Sequence, residues 1–308
     1  MIAIERTGSS AARERRDGRA VRRAVARAWS VRPAVARAAL AVATAALLAT
    51  TAMAAAVVVP DDARESRWAA EVVPQLVVGD AVWLRTPRRE RVLALYARPA
   101  GDAKGAVIVV HGLGVHPDWS LVGDIRSGLV DRGFATLSVQ MPVLAADAPR
   151  DDYAALAPFA AQRLEAALAW LHANGHPRVA VLSHSMGATM VNAWMTSSPA
   201  VDAWVPLGML VPFARAPRMP VLDVVGQNDY PEALQRVPAA TALPADGCSR
   251  TVTIPGADHF MQGAVPRLLD AVAPFLARAL SGECRSPDAR GNVTAAPAPA
   301  SAPPGRAP

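Results

Sequence analysis

The sequence is poor in the residues and motifs that mark several common kinds of functional site. Among its 308 residues are two cysteines and six histidines. No His, Cys and carboxylate residues have the spacing of a metal site. No glycine-rich phosphate loop follows an apolar strand-like run, and no internal repeat is present. The sequence therefore predicts a protein with no metal and no organic cofactor.

Charge is also scarce, at 19% of residues, and its positive excess is confined to one end. The net charge is +6, but residues 1–37 alone carry ten arginines against Glu5, Glu14 and Asp17, a net of +7. The remaining residues are therefore nearly neutral. A basic binding face is absent from the body of the chain, which argues against a nucleic-acid partner.

An uncharged run rich in Ala, Leu, Val and Thr follows the arginines, from Ala38 to Val59. Together with Ala52-Met53-Ala54, it is typical of a secretory signal with an A-x-A cleavage site. We therefore expect residues 1–59 to be a leader and the protein to be exported, periplasmic or extracellular. The alternative is an uncleaved inner-membrane anchor, since the run is about as long as a membrane span. Only this segment would then contact the membrane.

The other end of the chain, residues 285–308, lacks large apolar residues and is rich in Ala and Pro. This composition predicts a disordered tail. It leaves residues 60–284 as the folded domain. An exported protein with an even cysteine count can form a disulfide, and Cys248 with Cys284 is the possible pair. The alternative is two unpaired, buried cysteines.

Apolar strand-like runs alternate with helix-like segments through the domain, which predicts an α/β fold with a doubly wound, mostly parallel sheet. The expected strands are Val82–Leu84, Val92–Ala97, Ala106–Val110, Ala135–Val139, Val179–Leu182, Ala203–Leu207, Val221–Val225 and Thr251–Ile254. The expected helices are Ser120–Asp131, Tyr153–Asn174, Ala188–Met195 and Val265–Leu280.

Four motifs lie where such strands end. Ser185 stands between small residues on a strand-to-helix turn, although Ser183 replaces the glycine that usually opens this motif. His111-Gly112-Leu113-Gly114 follows an earlier strand, and Asp229 and His259 follow two later ones. The order Ser, Asp, His resembles the α/β-hydrolase superfamily, from about Val82 to Leu280. The segment Leu210–Pro220 is short, so the resemblance implies a fold without a lid domain.

The resemblance implies a role for each of these residues. Ser185 would be the nucleophile, His259 the base that accepts its proton, and Asp229 the acid that orients the imidazole. The backbone N–H groups of Leu113 and Met186 would bind the oxyanion. Each residue also has a simpler interpretation: a turn serine, a surface histidine, and a cap for a helix near Pro231. Asp223 and Asp258 are poorer candidates for the acid, and we expect His184 to pack rather than react.

The longer motifs HGLGVHPDW (His111 to Trp119), LSVQMPVL (Leu137 to Leu144) and SHSMG resemble a bacterial group of α/β-hydrolase-like proteins. Many of that group are exported and lack an assigned substrate. In the first motif, His116 to Trp119 either shapes the mouth of the site or begins a helix, with Asp118 as its cap and Trp119 packed.

The predicted activity is a serine hydrolase that cleaves a small or envelope-associated carboxylic ester through an acyl-enzyme. A peptidase, amidase or acyltransferase could use the same triad, because a triad does not fix the substrate. A non-catalytic envelope binding protein is the alternative from another class.

Overall fold

A computed structural model describes residues 58–239 and 243–284 of the chain. The predicted tail from residue 285 lies outside these ranges, as does all of the predicted leader except Val58 and Val59. Within the described ranges, no helix is both long enough and apolar enough to cross a membrane.

Eight strands form one sheet in the spatial order β1-β2-β4-β3-β5-β6-β7-β8. The strands β1 and β2 pair antiparallel, as do β2 and β4, and all other neighbours are parallel. The predicted α/β class with a mostly parallel sheet is confirmed. The strands are β1 Asp80–Leu84, β2 Val92–Ala97, β3 Ala106–Val110, β4 Ala135–Val139, β5 Val179–His184, β6 Ala203–Leu207, β7 Leu222–Asn228 and β8 Arg250–Asp258.

Six helices accompany the sheet within the described residues: α1 Asp62–Val72, α2 Ser120–Asp131, α3 Ala157–Ala173, α4 Met186–Trp194, α5 Pro231–Ala239 and α6 Val265–Ser281. Successive residues of β3 face opposite sides of the sheet. Ile108 packs in the core with residues of α3 and α4, whereas Val107 packs in the core with residues of α2 and α6. Because both faces are covered, β3 is apolar at every position, as parallel strands require.

Two helical segments differ from the sequence prediction by more than one or two residues. The helix α1 was not predicted, although Asp61 caps it by accepting a hydrogen bond from the Arg64 N–H at 2.9 Å. The segment predicted as one helix from Tyr153 begins as a 3-10 helix, Arg150–Leu156, and becomes α-helical only at Ala157. Pro158 accounts for this change, since proline has no N–H to donate to the preceding turn.

The connection between β6 and β7 is residues 208–221, which form no helix or strand. The predicted absence of a lid domain at this point is therefore confirmed. Cys248 and Cys284 form a disulfide with an S–S distance of 2.01 Å. It joins the segment before β8 to the segment after α6.

Candidate active site

The turn between β5 and α4 holds Ser185 in a conformation that is rare for a residue with a side chain. Its φ is 54° and its ψ is −120°, a region that costs on the order of 1–3 kcal/mol outside glycine. The Ser185 N–H donates to the Leu207 carbonyl of β6 at 2.9 Å, which anchors the turn to the sheet. The hydroxyl therefore stands at the carboxyl end of the strands, at the start of α4.

Close packing explains the residues on either side of Ser185. A Cβ on Gly187 would lie 2.2 Å from the His111 carbonyl oxygen, so only glycine allows α4 to approach that loop. Ser183 is fully buried, and its hydroxyl accepts a hydrogen bond from the Trp204 indole N–H at 2.9 Å. The serine at the position where the motif usually has glycine thus satisfies a buried donor on the neighbouring strand.

The structure brings the three predicted triad residues together. The Ser185 hydroxyl lies 2.8 Å from His259 Nε2, and His259 Nδ1 lies 2.5 Å from Asp229 Oδ1. Because an ionised carboxylate only accepts hydrogen bonds, Nδ1 carries the proton and Nε2 is free to accept the one from Ser185. All three side chains belong to residues that are at least nine-tenths buried.

Asp229 is held in its ionised form. Burial raises the pKa of this carboxyl, but hydrogen bonds from His259 and from the backbone N–H groups of Gly226 and Tyr230 outweigh burial and lower the pKa below its ordinary value. The two backbone bonds are 3.1 and 2.7 Å long. Asp229 lies two residues before α5, and its carboxylate bonds no N–H group of that helix, so the capping interpretation is not supported.

Gly208, directly after β6, is a residue of the site that the sequence analysis missed. Its φ is 56°, and a Cβ there would lie 3.1 Å from the His259 ring and 3.2 Å from Asp229 Oδ2. The glycine therefore allows the backbone to pass beside the His–Asp pair. The sequence places Gly208 directly after a predicted strand, but it does not indicate the contact with His259 and Asp229.

The predicted oxyanion residues, Leu113 and Met186, both line the cavity that contains Ser185. The loop that carries Leu113 is fixed by His111, whose Nδ1–H donates to the Gly112 carbonyl at 2.9 Å. His111 Nε2 accepts from the Met141 N–H at 2.8 Å and from Gln140 at 3.1 Å. Burial lowers the pKa of His111 to about 3, so it stays neutral and can accept these bonds.

Arg64 of α1 holds the same loop from the other side. Its guanidinium donates to the Gly114 carbonyl at 3.0 Å and to the Leu144 carbonyl at 2.7 Å, and it stacks over the Trp68 ring. The Trp68 ring in turn lies 5.9 Å from the His116 ring. The unpredicted helix α1 is thus part of the framework that shapes the predicted oxyanion loop.

His184, expected to pack, also makes a polar contact with the triad. Its Nε2–H donates to the backbone carbonyl of His259 at 2.9 Å, and the two imidazole centroids are 4.9 Å apart. Burial, with a further contribution from His259, lowers the pKa of His184 to about 4. A neutral His184 therefore fixes the backbone that carries the His259 imidazole.

The motif from His116 to Trp119 has features of both interpretations: it leads directly into α2, which begins at Ser120, and one of its residues lines the cavity. Trp119 lines the cavity, and its ring meets Phe260 edge-on at 6.2 Å. Asp118 does not cap α2; its carboxylate pairs with the Arg126 Nε at 2.6 Å. His116 takes no part in the triad, and its Nδ1 accepts the Asp118 N–H at 3.3 Å.

The two poorer acid candidates have other partners. Asp223 forms a buried bidentate ion pair with Arg236 of α5, at 2.7 and 2.9 Å. The Asp258 carboxylate accepts hydrogen bonds from the backbone N–H groups of Phe260 and Gln262, both at 3.0 Å. Asp258 therefore orders the turn that follows His259.

The cavity around Ser185 has a volume of about 470 Å³. Its walls are mostly apolar, with two charged side chains, Arg150 and Glu232. A larger cavity of about 660 Å³ lies between α1 and the β1–β2 hairpin, but none of the predicted catalytic residues lines it. Across the described ranges, no group of three or more His, Cys, Asp or Glu side chains has a geometry that could hold a metal ion. The hydrogen bonds that join Ser185, His259 and Asp229 would allow proton transfer from a serine hydroxyl to an imidazole.

Solved structures resemble this fold over almost their whole length. An α/β serine hydrolase homologue from Coxiella burnetii has a TM-score of 0.51 and 18% identity, covering 67% of this chain and 99% of its own. A lidless α/β serine hydrolase from Xanthomonas campestris has a TM-score of 0.54 and 17% identity, covering 66% and 96%. The chain has the α/β-hydrolase fold.

At such identities the likeness establishes this α/β-hydrolase fold and no more. Est1E from Butyrivibrio proteoclasticus shares it too, with a TM-score of 0.50, 16% identity, and coverage of 65% of this chain and 99% of its own. By sequence, a family described as "Protein of unknown function (DUF3530)" matches residues 26–162. That match includes the loop at His111 and ends before Ser185. No curated protein matches the sequence.

Proposed function

We propose that the chain is a serine hydrolase that cleaves carboxylic esters through an acyl-enzyme intermediate. The observation that carries this proposal is the continuous hydrogen-bonded relay from Ser185 through His259 to Asp229. A turn serine needs no such partner, and a surface histidine would not be 3% exposed with both ring nitrogens engaged. Ser185, the first residue of this relay, lies on a strand-to-helix turn, where the nucleophile of α/β hydrolases also lies.

The reaction follows from the proton positions. Ser185 Oγ attacks the ester carbonyl carbon while His259 Nε2 takes the hydroxyl proton, and Asp229 stabilises the resulting imidazolium. The carbonyl oxygen becomes an oxyanion, for which the N–H groups of Leu113 and Met186 are the proposed donors. When the C–O bond breaks, His259 returns its proton to the departing alcohol. In the second half of the reaction, His259 Nε2 takes a proton from a water molecule while the water oxygen attacks the acyl carbon. His259 then returns this proton to Ser185 Oγ as the bond between Oγ and the acyl carbon breaks.

The surface around Ser185 favours an uncharged ester with an apolar or aromatic part. Leu113, Tyr230 and Phe260 are 41%, 42% and 38% exposed, and all three line the cavity. Exposed apolar side chains gathered at one place are typical of a binding surface. Ferulic acid, an aromatic acid, is bound in a structure of Est1E. The short β6–β7 connection leaves the cavity open, which suits small esters rather than long buried acyl chains.

We also propose that the protein is exported and works outside the cytoplasm. The uncharged run with its A-x-A site supports cleavage, and a disulfide between Cys248 and Cys284 suits an oxidising compartment. Protein recovered from the cell envelope should therefore lack residues 1–54 and carry no free thiol. Mass spectrometry before and after reduction measures both properties. An intact Met1 end would instead favour the membrane anchor, and two free thiols would contradict the oxidised state.

A fluorophosphonate probe, which reacts with activated serines, tests the proposed activity. The folded wild-type protein should be labelled, and Ser185→Ala should abolish labelling, whereas Ser127→Ala, a change on the remote helix α2, should leave it intact. A panel of short-chain nitrophenyl esters and the matching anilides then separates an esterase from an amidase. A folded wild type that resists the probe would overturn the proposal in favour of a non-catalytic binding protein.

A further inference from the structure

The ring of Tyr230 lies flat against the imidazole of His259. The two ring centroids are 4.1 Å apart and the planes are 23° from parallel, the tightest ring contact among the described residues. The Tyr230 side chain also lines the cavity around Ser185 and is partly open to solvent. No step of the mechanism above makes use of this ring.

Backbone contacts fix the place of Tyr230. Its N–H donates to Asp229 Oδ1 at 2.7 Å, and its carbonyl accepts the N–H groups of Ala233 and Leu234 at 3.0 and 3.1 Å. Tyr230 is therefore held between the triad carboxylate and the first turn of α5, which begins at Pro231. This attachment fixes the Tyr230 backbone beside the His–Asp pair.

A second aromatic ring completes the arrangement. Phe260 stands perpendicular to both His259 and Tyr230, with ring centroids 5.3 and 6.4 Å away. The Tyr230 ring thus covers one face of the imidazole, and the Phe260 ring lies at right angles to it. An aromatic face carries partial negative charge and attracts a cation placed over it, by about 0.5–2 kcal/mol. A neutral imidazole gains less from the same contact.

We propose that Tyr230 is a positioning residue that holds the His259 ring in plane and stabilises its protonated form during the reaction. The inference rests on the proposed serine hydrolase activity, since only proton transfer from Ser185 creates the imidazolium. The stabilisation applies wherever the imidazole is protonated: in the transition state and the tetrahedral intermediate near neutral pH, and in the resting enzyme only at acid pH. It therefore raises kcat without tightening substrate binding.

Other charged or titratable groups face the same imidazole and stay in place when Tyr230 is changed. Asp229 contacts Nδ1 from the end of β7, and the neutral His184 lies against the ring from the end of β5. Arg150 and Glu232 line the cavity, and neither has an ion-pair partner among the described residues. Variants of Tyr230 therefore change the ring contact while they leave the charges near His259 unaltered.

The test compares Tyr230→Leu with Tyr230→Phe. The Tyr230 hydroxyl forms no hydrogen bond with another described residue, so phenylalanine keeps the ring contact and should keep kcat within about twofold of wild type. Leucine covers the imidazole without an aromatic face and should lower kcat and kcat/KM together by about tenfold. In the leucine variant, the acid limb of the pH–rate profile should also move to lower pH by about half a unit, because the imidazolium is less stable.

Tyr230→Trp gives a second variant with an aromatic face and should behave like Tyr230→Phe. The inference is overturned if the leucine variant keeps the rate and the acid limb of the wild type. It is also overturned if phenylalanine and tryptophan lose as much activity as leucine, since the hydroxyl or the exact shape would then matter. A wild type that neither hydrolyses esters nor reacts with the fluorophosphonate overturns the proposed function, and the inference with it.

Discussion

Replacing either Ser185 or His259 with alanine should lower kcat for an ester substrate by about 10⁵- to 10⁶-fold. Without the Ser185 hydroxyl there is no nucleophile to form the acyl-enzyme. Without the imidazole, which lies 2.8 Å from that hydroxyl, the serine keeps its proton and remains a weak nucleophile. The rate is measured with nitrophenyl esters under saturating conditions, after circular dichroism has shown that each variant is folded.

The double variant Ser185→Ala/His259→Ala should be no slower than either single variant. Residues that act as one unit lose their whole effect when any one of them is removed, so their effects do not add. Independent roles would give a double variant slower by the product of the two losses. Ser127→Ala serves as the control with wild-type rates. A single variant that kept more than a tenth of the activity would place the nucleophile or the base elsewhere.

The layered fold and the place of Ser185 were predictable because local sequence determines both. The strand β3 is apolar at five successive positions, and its bounds, Ala106–Val110, agree with the sequence prediction. The turn at Ser185 is predicted by small residues between an apolar run and a helix-like segment. The carboxyl ends of parallel strands lie at one edge of the sheet. Asp229 and His259 each follow a predicted strand, so the sequence predicted that both lie near Ser185.

The residues that support the site were not predictable, because their partners lie far away in the sequence. Arg64 reaches the Gly114 carbonyl across 50 residues, and His111 meets Gln140 across 29. The periodic patterns that predict helices and strands do not indicate contacts between residues so far apart in the sequence. The sequence motif LSVQMPVL did include Gln140, but nothing local to it indicates that its amide meets the loop at His111. Tyr230 likewise looks like an ordinary helix-flanking residue until its ring is seen beside His259.

Ser183 shows that a departure from a motif can have a structural cause. It replaces the glycine that usually opens the nucleophile turn. The Trp204 indole N–H, 21 residues away on the next strand, donates to its hydroxyl inside the core. A buried donor left unpaired costs about 1–3 kcal/mol, so serine at this position stabilises the sheet beneath the turn. The departure is therefore structural and leaves the geometry of Ser185 intact.

Replacing Asp229 with asparagine should lower kcat by about 10⁴-fold without unfolding the protein. With its amide oxygen in the place of Oδ2, asparagine still accepts the Gly226 N–H, which bonds that oxygen at 3.1 Å. Its amide nitrogen takes the place of Oδ1, so only the 2.7 Å hydrogen bond from the Tyr230 N–H is lost. Its amide N–H group then faces His259 Nδ1 and donates to it, which places the imidazole proton on Nε2. In that tautomer the imidazole cannot accept the proton of Ser185. Asp270→Asn, at an exposed position on α6, is the matched control and should keep the wild-type rate.

The pH dependence of the wild type adds an independent check on this role. The pKa of Asp229 lies below its ordinary value of 3.8, so the carboxylate is ionised throughout the neutral range. Since folding lowers this pKa, the ionised carboxylate also stabilises the fold at every pH above the ordinary value of 3.8, and the contribution is lost as the pH falls through the lower folded-state pKa. The pKa values of His111 and His184, about 3 and about 4, keep both neutral there as well. Neither adds a protonation step to the profile near pH 7. If the Asp229→Asn variant kept the wild-type turnover near pH 7, the prediction would be wrong, and another carboxylate would have to orient the His259 imidazole.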